Sequence, residues 1–282
     1  MSEPLKVAEE SPTAPPELSA NEVDAAAKRI SDIIEPTPLQ RIDRLSELTG
    51  ADIYLKREDL SAVRSYKLRG AYNLMTQLDA AERAAGVVTA SAGNHAQGVA
   101  FACRSMRVHG RIYVPATTPK QKRDRIRAHG GEFVELIAVG DTFDAAAEAA
   151  AADVRHTGAT TVPPFDDART AAGQGTVAVE LLEQLSAPPD LVIIPVGGGG
   201  CLAGIGTYLR ERAPRTTILG VEPSGAASMT AALIAGAPVS LPDIDPFVDG
   251  AAVRRVGDVP FAAVSKFGGR VISHASLPLL VR

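Results

Sequence analysis

Cysteine is scarce in this sequence, with only Cys103 and Cys201 among 282 residues. Two cysteines so far apart cannot form the disulfide framework of a small secreted domain, nor a cysteine-rich metal cluster. The scarcity therefore favours a protein of the reducing cytoplasm, and no metal site is predicted.

Long apolar runs and an excess of basic residues are also missing. No segment approaches the roughly 20 apolar residues that a membrane helix needs, and residues 1–18 lack the apolar centre of a signal peptide. Lys and Arg number 29 against 33 Asp and Glu, a balance not typical of nucleic-acid binders. The basic run at 120–127 is interpreted as a solvated helix face. We expect a soluble cytoplasmic protein with no nucleic-acid or membrane partner.

Short strands rich in Val and Ile alternate with helical patterns along the chain. Residues 1–18 are predicted to be a disordered tail, and Ser19-Ala20-Asn21-Glu22 fits a capping box that begins a helix. The predicted strands are 52–56, 86–90, 111–114, 132–136, 159–162, 191–196 and 217–222. The predicted helices include 66–78, 95–106, 119–128, 142–156, 170–185 and 202–212. This alternation predicts an α/β fold with open parallel sheets covered by helices.

Lys67 follows a polar run and lies in the first turn of a predicted helix, with Ser65 as the predicted N-cap. The positive end of the helix dipole disfavours a second positive charge there, which would lower the pKa of the amine and favour a lysine nucleophile. A solvated lysine at a helix start is the competing interpretation.

The segment 91–98, Ser-Ala-Gly-Asn-His-Ala-Gln-Gly, directly follows a predicted apolar strand. Its small residues would let backbone N–H groups converge on an anion such as a substrate carboxylate, and Asn94 could bind a cofactor oxygen. An ordinary strand-to-helix turn with Asn94 as the N-cap is an equal alternative. His95 by itself is more typical of a structural residue than of a general base.

Four consecutive glycines, Gly197 to Gly200, connect a predicted buried strand to a helix. Glycine costs stability unless the bare backbone is needed, and the predicted need is the approach of several N–H groups to a phosphate. No Walker lysine or clean dinucleotide motif accompanies the loop. An amine, a carboxylate-sized anion site and a phosphate site together fit a phosphorylated aldehyde cofactor.

The segments 65–71, 91–98 and 197–201 together resemble the fold-type II pyridoxal-phosphate enzymes, with a fold like that of tryptophan synthase β-chains. Within that group the sequence is most similar to the threonine dehydratases (threonine ammonia-lyases), from about residue 30 to 270. The resemblance implies a large cofactor-binding domain, 19–79 plus 168–282, and a small domain, 80–167.

The resemblance also implies roles by position. Lys67 would hold pyridoxal 5'-phosphate as a Schiff base and remove the α-proton. The implied cofactor contacts are Lys67, Asn94, Gly197, Gly198, Gly199, Gly200, Cys201 and Gly250. The implied substrate-carboxylate contacts are Ser91, Ala92, Gly93 and His95. The segment at Glu222 resembles a cation site of the family, but Ser228 replaces the expected acidic ligand. A surface strand end is the alternative for Glu222.

The expected function is conversion of L-threonine to 2-oxobutanoate and ammonia for isoleucine synthesis, with L-serine as a slower substrate, by a homo-oligomer (dimer or tetramer). The family's Gly-rich segment beside the pyridine nitrogen and its regulatory domain have no counterpart before Arg282, so the chain is expected to be C-terminally short. The alternatives are an inactive cofactor-binding remnant and a serine dehydratase or racemase.

Overall fold

The computed structural model describes residues 17–274. The strands are β1 (Leu39–Arg41), β2 (Tyr54–Lys56), β3 (Val87–Ala90), β4 (Gly110–Val114), β5 (Val134–Ala138), β6 (Thr160–Thr161), β7 (Leu191–Pro195), β8 (Thr217–Pro223) and β9 (Arg270–His274). The helices are α1 (Ala20–Ile30), α2 (Asp43–Thr49), α3 (Lys67–Thr76), α4 (Ala80–Ala85), α5 (Asn94–Met106), α6 (Lys120–Gly130), α7 (Phe143–Thr157), α8 (Ala168–Gln184), α9 (Gly200–Arg212), α10 (Ser228–Ala235) and α11 (Asp258–Phe267).

Two parallel sheets form the centre of the fold. One has four strands in the order β5-β4-β3-β6, and the other has three in the order β7-β8-β9. The predicted parallel α/β architecture is therefore confirmed for these strands. The predicted strand at 52–56 differs, because β2 pairs antiparallel with β1 in a separate two-stranded sheet.

The N-terminal boundary is partly described. Most of the predicted disordered tail, 1–16, lies outside the described residues, whereas Leu18 is buried in the core around α8 and α9. Ser19 is the N-cap of α1, as predicted, and its side chain accepts a hydrogen bond from the backbone N–H of Glu22 at 3.3 Å. The helix ends at Ile30, and a turn after it carries the buried Ile34.

Helix α3 lies between the two parallel sheets, where it packs against α5 on one side and α8 on the other. Leu68 and Leu74 are buried in the same core as β3 and α5. The four-stranded sheet lies within 87–161 and the three-stranded sheet within 191–274. The division into a small domain at 80–167 and a large domain around it stays a prediction. No helix within residues 17–274 is long and apolar enough to cross a membrane.

Helices α8 and α9 approach each other closely at Gly204. A Cβ added there would overlap the carbonyl oxygen of Ala171 and lie 2.7 Å from the backbone nitrogen of Gly175. Neither backbone atom can move without displacing α8. We expect Gly204→Ala to lower the free energy of unfolding by about 2–3 kcal/mol, since overpacking outweighs the better helix propensity of alanine.

Urea unfolding followed by circular dichroism measures this effect. Gly250→Ala is the matched control, because a Cβ at Gly250 would meet nothing within 4 Å. Equal unfolding midpoints for the two variants would contradict the packing argument.

Candidate active site

Lys67 is the first residue of α3 and is half-buried between the two sheets. Its Nζ donates a hydrogen bond to the carbonyl oxygen of Pro164 at 2.9 Å and lies 5.3 Å from the centre of the Tyr66 ring. Burial lowers the pKa of the Lys67 amine from 10.5 to about 8. The fully solvated lysine is therefore excluded, and about a tenth of the amine is unprotonated at pH 7, far more than for an ordinary lysine.

The local cause of this lowered pKa differs from the expected one. Tyr66, not Ser65, is the N-cap of α3, and no side chain caps the helix. The Ser65 hydroxyl is buried and has no hydrogen-bond partner among the described residues. Lys67 does lie in the first helical turn, but removal of water from the amine, and not the helix dipole, is the dominant cause of its shift.

His95 is buried at the start of α5, and its Nε2 lies 2.9 Å from the carbonyl oxygen of Val162. A carbonyl only accepts, so Nε2 carries the proton and donates. Nδ1 is buried with no partner among the described residues. Burial, with a smaller effect of the Lys67 charge, lowers the pKa of His95 to about 3. The ring is therefore neutral at physiological pH.

The rest of the segment, residues 91–94, is at least partly exposed. Ser91, Ala92 and Gly93 are half-buried and Asn94 is exposed. Gly93 is the N-cap of α5, so the alternative with Asn94 as the N-cap is wrong. The helix is held against Lys67 through Gly98, where an added Cβ would lie 3.1 Å from the Lys67 carbonyl carbon. The predicted carboxylate and cofactor contacts of this segment stay predictions.

The glycine loop enters α9, the helix that begins at Gly200. Its N-cap, Gly199, has a φ of 91°, a backbone conformation that favours glycine. Cys201 lies in the first turn; burial raises its pKa to about 12, and the charge of Lys67 acts on it in the opposite direction. Lys67 and the start of α9 therefore lie close together. The first N–H groups of a helix have no intrahelical acceptor and can bind an anion.

Close packing within the protein is a second reason for glycine in this loop. A Cβ at Gly198 would overlap the Phe165 ring, and one at Gly200 would lie 2.9 Å from the Phe165 Cβ. A Cβ at Gly199 would lie 2.7 Å from Cε of Met229. Packing alone therefore requires these glycines, so the run of glycines is weaker support for a phosphate than the sequence indicated.

The segment 164–166 connects these parts of the site, and sequence reasoning did not identify it. The carbonyl of Pro164 accepts from Lys67, and Phe165 packs on the glycine loop. A carboxylate oxygen of Asp166 accepts from the N–H of Val259 at 2.9 Å, which ties the segment to the start of α11. The run Pro-Pro-Phe-Asp-Asp at 163–167 is the only available signal, and it indicates merely a turn.

Glu222 is buried, so the alternative of a surface strand end is wrong. Its carboxylate accepts from the backbone N–H groups of Met229 at 3.0 Å and Thr230 at 2.8 Å, at the start of α10. Glu222 thus stabilises a helix N-terminus. Within residues 17–274, no group of three or more His, Cys, Asp and Glu side chains is arranged to hold a metal ion.

Comparison with known proteins gives the family. The family model described as "Pyridoxal-phosphate dependent enzyme" matches residues 30–276. The chain belongs to this family. It is 65% identical over 260 residues to a biosynthetic L-threonine dehydratase of Mycobacterium leprae, covering 92% of this chain and 61% of the relative. It is 50% identical over 236 residues to the enzyme of the same name from Bacillus subtilis, covering 84% and 56%.

Two solved structures show the same fold. The processed form of threonine deaminase isoform 2 from Solanum lycopersicum matches with a TM-score of 0.83 at 39% identity, covering 97% of this chain and 81% of that one. Maize serine racemase matches with a TM-score of 0.86 at 29% identity, covering 91% and 77%. The fold-type II assignment is confirmed. The chain spans about three-fifths of the length of the curated relatives it matches.

The residues present fit the cofactor of this family on two counts. Lys67 offers a half-buried primary amine with a pKa of about 8, suited to attack an aldehyde. The 13-residue helix α9 begins beside that amine, and its N-terminal N–H groups suit a phosphate. One group that carries both an aldehyde and a phosphate matches this pair of features.

Gly250 provides a test of cofactor approach that does not disturb packing. The residue is exposed, its φ is ordinary, and an added Cβ would meet nothing within 4 Å. If the cofactor ring passes close to this backbone, we expect Gly250→Ala to weaken pyridoxal-phosphate binding by about tenfold, equivalent to about 1.4 kcal/mol. The unfolding midpoint should not change.

Absorbance titration of the cofactor-free chain measures the binding. Gly236→Ala, at an open glycine that ends α10, is a control for cofactor binding only, because its φ of 71° makes alanine unfavourable there and lowers stability by itself. Unchanged cofactor affinity in Gly250→Ala would remove Gly250 from the site.

Proposed function

We propose that the chain carries the active site of a pyridoxal-phosphate-dependent threonine dehydratase. In this reaction L-threonine loses its β-hydroxyl as water, and the remaining enamine takes up water to yield 2-oxobutanoate and ammonia. The observation that carries the proposal is the half-buried Lys67 amine beside the start of α9. The high identity to named threonine dehydratases supports the choice of substrate.

Each proposed residue has a distinct role. When bound, pyridoxal phosphate withdraws electrons from the Cα of the amino acid it carries. Lys67 would bind the cofactor aldehyde and, once released by the substrate amine, take the proton from Cα. Because its pKa is about 8, the amine is basic enough to accept this proton, and about a tenth of it is unprotonated at pH 7.

The surrounding residues would bind and orient the ligands. The proposed phosphate contacts are the backbone N–H groups of Gly197, Gly198, Gly199, Gly200 and Cys201. Asn94 would contact the cofactor ring, and Gly250 would let the backbone pass close to it. The proposed substrate-carboxylate contacts are Ser91, Ala92, Gly93 and His95. The neutral ring of His95 adds no charge to this site, so backbone N–H groups would bind the carboxylate.

The experiment is a turnover assay with the purified chain. We expect 2-oxobutanoate from L-threonine in the presence of pyridoxal phosphate, a smaller amount of pyruvate from L-serine, and neither product with Lys67→Ala. Product release by Lys67→Ala would contradict the role of the lysine. Cofactor binding without either product would favour the binding-only alternative.

Chiral analysis after incubation with L-serine tests a specific alternative. The fold matches maize serine racemase with a TM-score of 0.86. D-serine formed faster than pyruvate or 2-oxobutanoate would favour a racemase. A cytoplasmic homo-oligomer, dimer or tetramer, is part of the proposal, and sedimentation equilibrium tests the oligomeric state.

A further inference from the structure

Four charged side chains form a largely buried network around Arg69, which follows Lys67 by two residues on α3. We define this Arg69 cluster as Lys56 at the end of β2, Glu58 in the following 3-10 turn, Arg69 on α3 and Glu180 on α8. Arg69 is 1% exposed and Glu180 is 8% exposed. The two positive and two negative charges make the cluster neutral.

Every N–H donor of Arg69 is used. Nε donates to Glu58 at 2.8 Å, and Nη2 donates to Glu58 at 2.9 Å and to Glu180 at 3.0 Å. Nη1 donates to the other oxygen of Glu180 and to the Thr176 hydroxyl at 3.1 Å. A guanidinium has five such donors. Arg69 therefore joins α3 to the 3-10 turn and to α8 in one fixed geometry.

Lys56 completes the network in the same way. Its Nζ donates to Glu180 at 2.6 Å, to the side-chain oxygen of Gln184 at 3.0 Å and to the Thr37 carbonyl. An ammonium has three donors, and all three are used. Replacing such a buried network with well-packed apolar residues is often neutral or stabilising. A network of this kind also fixes the geometry of the elements that it joins.

The cluster includes a residue of the same helical turn as Lys67. Arg69 and Lys67 share the first turn of α3, and no side chain caps that helix. Helix start positions are normally fixed by caps. The cluster also lies near the start of α9, because Glu58 raises and Arg69 lowers the pKa of Cys201. The effects of these two charges on the thiol are opposite in sign.

We propose that Arg69 is a positioning residue for Lys67: through Glu58 and Glu180 it holds the first turn of α3, and the neutral cluster adds no net charge beside the amine. This inference rests on the proposed role of Lys67 as the cofactor amine. It adds that residues without access to the ligand determine the orientation of that amine and add no net charge to its surroundings.

The experiment measures the reactivity of Lys67 without using catalysis. Reductive dimethylation of the chain at a series of pH values, followed by peptide mass spectrometry, gives the rate and the apparent pKa of individual lysines. Arg69→Met leaves Glu58 and Glu180 with one positive partner, so the cluster gains a net negative charge that favours protonated Lys67. We expect the apparent pKa of Lys67 to rise by about one, and its labelling at pH 7 to fall about tenfold.

Two further variants separate charge from geometry. Arg69→Lys keeps the charge but has three donors in place of five and cannot pair bidentately with both carboxylates, so we expect slower pyridoxal-phosphate uptake with an unchanged apparent pKa of Lys67. It also keeps the proposal testable if Arg69→Met fails to fold. Arg111→Met is the matched control, since it breaks the ion pair between Arg111 on β4 and Asp153 on α7, 2.6 Å between atoms. It should leave both measurements unchanged.

The outcomes distinguish this inference from the proposed function. If folded Arg69→Met and Arg69→Lys label Lys67 and take up cofactor like the unmodified chain, the positioning role is wrong. The same holds if Arg111→Met shifts Lys67 as much as Arg69→Met does. If the unmodified chain binds cofactor but converts no threonine, the proposed function fails, while the labelling result still decides the role of Arg69.

Discussion

Lys67→Met should abolish covalent attachment of pyridoxal phosphate and, at the same time, make the cofactor-free chain more stable at neutral pH. The first effect follows from the loss of the amine. The second follows from its environment, because burial lowers the pKa of Lys67 from 10.5 to about 8. A lysine that is harder to protonate in the folded chain opposes folding wherever it must carry a proton.

The sign of the pH dependence follows from proton binding. Between pH 8 and 10.5 the unfolded chain binds more protons at Lys67 than the folded chain, so the free energy of unfolding rises with pH in that window. Below pH 8 Lys67 is protonated in both the folded and the unfolded chain, and the full free-energy cost of burying its charge opposes folding. The difference in pKa corresponds to roughly 3 kcal/mol. Since Lys67 is only half-buried and water screens part of the effect, we expect Lys67→Met to add about 1–2 kcal/mol at pH 7.

Urea unfolding of both cofactor-free proteins at pH 7 and at pH 10.5 measures the difference. The advantage of the variant should be present at pH 7 and nearly absent at pH 10.5. Lys28→Met, at an exposed position on α1, is the control for removal of one lysine. A Lys67→Met chain that is less stable than the unmodified one at pH 7 would contradict the inferred cost of this amine.

The sequence patterns predict the central architecture well because each element there is a local pattern. A short apolar strand followed by a helix of 3.6-residue period is visible in the residues themselves. The predicted strand at 191–196 corresponds to β7 (Leu191–Pro195), and the predicted helix at 202–212 to α9 (Gly200–Arg212). Helix α9 begins two residues before the predicted start, at Gly200, a residue of low helix propensity that is closely packed against Phe165.

The elements that were missed are short or depend on distant partners. Helix α4 has six residues, although its capping box between Asp79 and Glu82 is a readable signal. Strand β1 exists only through its pairing with β2, and that pairing is antiparallel. The predicted strand at 132–136 begins as a 3-10 turn, Gly131–Phe133, and the true strand is Val134–Ala138. Positive φ at Gly131 causes the shift.

In the candidate site, too, contiguous motifs could be predicted from the sequence, whereas contacts between distant residues could not. Lys67, the segment 91–98 and the glycine loop were found because each is a contiguous motif. The structure brings Lys67 next to both of the others, through Gly98 and Cys201. The contact of Lys67 with Pro164 could not be predicted, since a backbone carbonyl carries no residue-type signature. The main cause of the lowered pKa of Lys67 is burial, which could not be predicted from the sequence because it is a property of the folded chain.

The phosphate site is best tested by changing the ligand and not the protein. Gly198, Gly199 and Gly200 are each required by packing, so a side chain there would disturb the fold whether or not a phosphate binds. Pyridoxal lacks the phosphate but keeps the aldehyde. We expect the cofactor-free chain to bind pyridoxal at least about a hundredfold more weakly than pyridoxal phosphate.

The magnitude follows from the groups at the start of α9. A hydrogen bond to a charged oxygen contributes roughly 1.5–3 kcal/mol, and the end of a helix dipole adds roughly 0.3–1 kcal/mol for an anion. Two N–H donors from the first turn of α9 thus account for about 3 kcal/mol, which is a factor of about a hundred in affinity. Absorbance titration at fixed pH measures both ligands on the same chain.

Imine formation of each aldehyde with a simple amine in solution is the control, because the free 5'-hydroxyl of pyridoxal closes on its own aldehyde as a hemiacetal, which by itself makes pyridoxal form imines less readily than pyridoxal phosphate. Competition by inorganic phosphate gives an independent measure: it should weaken pyridoxal-phosphate binding and leave pyridoxal binding unchanged. Equal affinity of the chain for the two aldehydes, after that correction, would remove the assignment of the loop from Gly197 to Cys201. The assignment of Lys67 would not be affected, because the amine reacts with the aldehyde that both ligands share.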